Sequence, residues 1–128
     1  MSARNSSFFI AGQIEQPVFV LDGIASEWLF VSGFWKEANA SLGTMFDQFE
    51  EDEADPATLR QIAHALDRQI RELEGRGDET ISFVYRRTPH GEEPALVIQR
   101  GDLISQLAAA RDFLFSAADK GEILELSL

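Results

Sequence analysis

Asp55-Pro56-Ala57-Thr58-Leu59-Arg60-Gln61-Ile62-Ala63-His64-Ala65-Leu66-Asp67-Arg68-Gln69-Ile70-Arg71-Glu72-Leu73-Glu74-Gly75 occupies the middle of the chain. Asp55 is a good N-cap, because its carboxylate can accept from the unpaired amides of a first helical turn. Pro56 is a good first helical residue, since its missing N–H would have no partner there. Leu59, Ile62, Ala63, Leu66, Ile70 and Leu73 recur every three or four residues and form one apolar stripe, which Gly75 and Gly77 end. A long amphipathic helix is therefore fixed at this point, and the class of fold depends on what flanks it.

The segments on either side read as sheet. Upstream, Ser7–Ile14 and Pro17–Leu21 are rich in β-favouring residues, and Asp22-Gly23 is a strong turn dipeptide. Trp28-Leu29-Phe30-Val31 reads as a third strand. Phe34, Ala38, Leu42, Met45, Phe46 and Phe49 then return to helical spacing, weakened at Gly43. Downstream, Thr80–Arg86 and Ala95–Gln99 read as a hairpin around a long loop that carries Pro89, His90 and Pro94. A last helix is expected from Asp102 to Lys120, stopped by Gly121, and Leu124, Leu126 and Leu128 alternate as a closing strand. The order is roughly βββ-αα-ββ-α-β. The expected fold is α+β, a mostly antiparallel sheet covered on one face by about three helices, in a single domain spanning residues 1–128.

Composition narrows the chemistry. In 128 residues there are 22 acids against 11 Lys and Arg, a net charge of −11, and no cysteine. Disulfides, thiolate catalysis and cysteine-ligated metals are excluded. Nucleic acid and anionic membrane surfaces both require local positive charge, so neither is an expected partner. The run Phe8-Phe9-Ile10-Ala11 is too short for a signal-peptide core, and the expected location is the cytoplasm.

Motifs for catalysis are weak. The glycines mark element boundaries and form no phosphate-cradling loop. His64, with Arg60, Asp67 and Arg68 nearby, reads as a local ion-pair or hydrogen-bonding residue on a helix. His90 in its loop could serve as a general base, which leaves an enzyme of unknown class with a loop histidine as a further alternative, and there is no Gly-x-Ser-x-Gly elbow. The run Glu50–Glu53 lacks the alternation and central glycine of a calcium loop. A non-catalytic protein is expected, with no cofactor and no metal.

Charge is distributed unevenly. Residues 34–55 hold one lysine and seven acids, a local charge of −6, whereas residues 56–77 carry +1. Like charges repel at close range, so such grouping reads either as a solubilising strip or as a docking patch for a basic partner. The candidate docking residues are Trp35, Phe46, Asp47, Phe49, Glu50, Glu51, Asp52, Glu53 and Asp55. Trp28 reads as core, and Trp35, beside Lys36-Glu37, as half exposed. A homodimer, formed through the final strand or the apolar face of helix 102–120, is the alternative.

The stretch Phe46-Asp47-Gln48-Phe49-Glu50-Glu51-Asp52-Glu53, the closing helix around Leu107–Leu114 and the tail Gly121–Leu126 belong to a small, acidic, cysteine-free chain. In general organisation it resembles the small cytoplasmic immunity or accessory proteins of bacterial toxin systems. That resemblance implies tight binding to a cognate toxin and obstruction of its active site. Many such toxins are nucleases with basic substrate channels, which an acidic inhibitor would suit.

Overall fold

The computed structural model describes residues 4–48, 50–84 and 95–128. Strand β1 (Ser6–Ile10) turns into β2 (Phe19–Leu21), and two short helices follow, α1 (Gly23–Val31) and α2 (Phe34–Leu42). Strand β3 (Glu51–Ala54) leads directly into α3 (Pro56–Glu74). The hairpin strands β4 (Thr80–Val84) and β5 (Ala95–Gln99) precede α4 (Arg100–Asp119) and β6 (Leu124–Ser127). The main sheet is antiparallel and four-stranded in the order β2-β1-β6-β3, and β4-β5 form a separate two-stranded sheet. The class is α+β, as the sequence implies.

The central helix forms as its signals require. Asp55 Oδ1 accepts from the Thr58 amide at 2.8 Å, Pro56 occupies the first turn, and all six stripe residues are buried. Helix α4 packs along α3, and Leu103, Leu107, Ala110 and Leu114 are buried on it. Arg111 joins the two helices: its Nη1 lies 2.8 Å from Asp67 Oδ1, while Nε donates to Asp112 at 2.9 Å. These contacts, Asp112 first, hold the guanidinium above its already high ordinary pKa. Arg71 completes the group, 3.0 Å from Asp67, and Arg76 pairs with Glu72 at 3.9 Å. Arg71 on the central helix and Arg76 just beyond it thus balance neighbouring acids.

Three expectations change. Trp28–Val31 is the second half of a helix and not a strand. Asp22 caps that helix by accepting from the Ile24 amide at 3.4 Å, and Ala25, Trp28 and Leu29 are buried at helical spacing. The next helix ends at Leu42, at the break that Gly43 invites by taking the left-handed conformation at φ 69°, but residues 44–48 beyond it do not form the second helical piece. The acidic run expected in an exit loop is partly a strand, β3, whose residues pair with β6 in the register Glu51↔Ser127 to Ala54↔Leu124.

Sheet register sets two faces. Phe8, Leu21, Ala54, Leu124 and Leu126 are buried beneath the helices, whereas the alternate residues Phe9, Val20, Glu53 and Glu125 are half-buried or exposed. Strand β6 lies between β1 and β3, so both of its edges are paired and it offers no edge to a second copy. On α4, Ile104, Ala108, Phe113 and Phe115 are half-buried and pack against the core. Tyr85, Arg86, Arg87 and His90 lie outside the described residues.

Candidate functional site

The acidic segment begins where α2 unwinds, and Asn39 organises that turn. Its backbone carbonyl accepts from the Gly43 and Thr44 amides at 2.9 and 3.2 Å. Its side chain makes three more bonds. Oδ1 accepts from Thr44 Oγ1 at 2.8 Å and from the Phe46 amide at 3.0 Å, and Nδ2 donates to the Phe46 carbonyl at 2.7 Å. One side chain thereby satisfies both backbone groups of Phe46, whose ring is buried.

A second anchor comes from α1. Glu27, only 2% exposed, accepts at Oε1 from the Arg4 amide at 3.2 Å and from Gln48 Nε2 at 2.8 Å. The chain approaching β1 and the chain approaching β3 are thus tied to one buried carboxylate. Between Asn39 and Gln48 the segment has little freedom, and it holds Asp47 exposed.

These anchors frame a cleft of about 460 Å³, where Phe30, Trp35, Met45 and Phe46 give the apolar lining, Asn39 and Thr44 the neutral polar one, and Asp47 and Glu50 face it together with Lys36. Trp35 and Phe46 are each 4% exposed, with ring centroids 5.8 Å apart. Trp35 is therefore core and not the half-exposed residue expected from its polar neighbours. The edge of Phe34 meets its ring at 5.2 Å, which accounts for the burial. Its Nε1–H is buried and has no acceptor among the described residues. Met45 lies at the cleft margin and is 80% exposed.

Beyond the cleft the acids continue along a sheet edge. Glu51, Asp52 and Glu53 are exposed on β3, the outermost strand. Asp52 Oδ1 accepts from the Glu53 amide at 2.9 Å, so the edge caps one of its own donors. Glu53 stands directly opposite Glu125, a like-charge pair of the kind that weakens a sheet. Asp55 is exposed but committed to capping α3. The amide and hydroxyl of Thr58 hold its carboxyl below the ordinary value of 3.8.

Among the sequence candidates, Trp35, Phe46, Asp47 and Glu50 share the cleft, and Glu51, Asp52 and Glu53 extend from it along β3. Phe49 lies outside the described residues. Asn39, Met45, Gln48 and Glu27 complete the arrangement and were not singled out by sequence. Only Asn39 carried a signal, its position four residues before a helix-breaking glycine. Among the described residues no three His, Asp or Glu side chains gather as a metal site, and no helix is long and apolar enough to cross a membrane. No protein-family model, curated protein or solved structure matches the chain.

Proposed function

We propose that this chain is a non-catalytic, cytoplasmic protein-binding module whose acidic ledge, Asp47 to Glu53 with the adjoining cleft, docks a basic partner. In this reading the chain is an immunity-type inhibitor, and its basic partner is a bacterial toxin. The observation carrying the reading is the Glu53–Glu125 register. Facing carboxylates on neighbouring strands weaken the sheet, and a cationic partner would turn that cost into attraction. The self-capped edge amide at Glu53 favours side-chain electrostatics over strand addition at this edge.

The test is affinity capture from the native lysate at low and high salt. Wild type is run beside a variant in which Asp47, Glu50, Glu51, Asp52 and Glu53 become Asn or Gln. Wild type should retain one stoichiometric basic protein at low salt, and the folded variant should not. Equal retention by both proteins, or none by wild type, would remove the reading.

A further inference from the structure

Among the described residues each sheet has an edge strand without a neighbour, and residues of two of these strands line hollows that share Asp22 and Gln106. Strand β2 is the last strand of the four-stranded sheet and β5 is one side of the two-stranded sheet. A groove lies between them, with α4 along it. One end, about 470 Å³, is lined by Asp22, Val97, Gln99, Asp102 and Gln106. The other, about 220 Å³, is lined by Phe19, Val20 and Ala109 and shares Asp22 and Gln106 with the first. Asp22 and Gln106 thus stand between a hollow beside β2 and a hollow beside β5.

These edges differ from β3. An open edge presents unpaired backbone donors and acceptors, and proteins usually blunt it with charge, capping or cover. Strand β3 is acidic and caps its own amide, whereas Phe19-Val20-Leu21 and Ala95–Gln99 carry no charged residue. Val20 and Val97 are 44% and 54% exposed beside the groove. Its polar lining consists of acceptors or neutral groups: Asp22 and Asp102 contribute carboxylates, and among the described residues no Lys or Arg lines it and Gln106 Oε1 is buried without a partner.

We propose that this groove receives an extended, basic segment of another protein, which adds as a strand between β2 and β5 and places a Lys or Arg side chain between Asp22 and Asp102. Strand addition supplies main-chain hydrogen bonds, and alternate side chains supply selectivity. The apolar end accommodates an apolar neighbour of the cation, over Phe19 and Ala109. A second copy of this chain is a poor occupant, because each carries a net charge of −11. The site is separate from the acidic ledge and does not depend on the function proposed for it.

The probe is a pool of acetylated, amidated octapeptides with Val or Ile at alternate positions and Arg, Lys, Ser, Thr or Glu between them. The pool is passed over the full chain at low salt, and the retained peptides are titrated into ¹⁵N-labelled protein. Retained peptides should be enriched in Arg or Lys, and amide shifts should fall at residues 19–22, 97–99 and 102–109. Asp102→Asn, at an exposed position, should weaken binding about fivefold. Ala109→Arg should abolish it by filling the apolar end. Methylating alternate peptide amides should also abolish it, which requires no change to the protein. Neutralising Asp47–Glu53 should leave it unchanged. An unenriched pool, equal binding of the methylated peptide, or shifts confined to residues 44–55 would overturn the proposal.

Discussion

Asn39→Ala removes the side chain that holds the acidic segment in place. Three hydrogen bonds disappear, at 2.7, 2.8 and 3.0 Å, and the amide and carbonyl of the buried Phe46 lose their partner. At about 1 kcal/mol net for each bond, the expected loss is about 3 kcal/mol. That is a substantial part of the ~5–15 kcal/mol by which a domain is stable. Asn39→Asp separates geometry from charge. It keeps an oxygen for Thr44 and Phe46 N–H but sets a second oxygen against the Phe46 carbonyl, where Nδ2 now donates at 2.7 Å. At neutral pH this variant should fall at least as far as Asn39→Ala. It should recover part of the loss in acid, when the protonated carboxyl can donate again. Urea unfolding with an unchanged m-value measures both. A loss below about 1 kcal/mol for Asn39→Ala, or wild-type stability for Asn39→Asp at pH 7, would refute the assignment of Asn39 as the anchor.

Glu53→Thr removes one member of the Glu53–Glu125 pair and should stabilise the fold by about 0.5 kcal/mol in urea unfolding; a loss would mean that the pair does not repel. Leu107→Ala, at a position 0% exposed on the helix packed along α3, should cost about 2–5 kcal/mol, and a thermal scan showing no change would contradict that packing. Asp55 has a folded-state pKa below its ordinary 3.8, so its cap contributes stability above that pH and loses it as the pH falls through the folded value. The melting-temperature gap between wild type and Asp55→Ala should therefore be open at neutral pH and narrow in acid, and a gap constant with pH would exclude the charged cap.

How much could be read from sequence follows from the range of each interaction. Helix α3 was legible because its cap, its proline and its stripe all lie within a few residues of one another. Residues 23–31 were misread because Asp22-Gly23 serves equally as a hairpin turn or as a cap, and four consecutive apolar residues fit a buried strand as well as a helix. The acids of β3 gave no strand signal, since they have poor β propensity and their partner β6 lies at the other end of the chain. The acidic residues of the site were visible as a charge imbalance. Of their anchors, Asn39 was marked only by its place before Gly43 and Glu27 by nothing, because both act through contacts that the folded chain creates. The burial of Trp35 was hidden for the same reason, as its covering rings come from Phe30, Phe34 and Phe46.

The most direct measurement of the central claim is the association rate of the captured basic protein with wild type and with the variant neutralised at Asp47, Glu50, Glu51, Asp52 and Glu53, at low and high salt. Electrostatic steering should make the wild-type rate at least about tenfold faster than the variant at low salt, with most of the difference gone at high salt. Thermal unfolding of the variant should be equal to wild type or higher. Equal association rates for the two folded proteins at low salt would contradict the claim that the acidic ledge is where the partner docks.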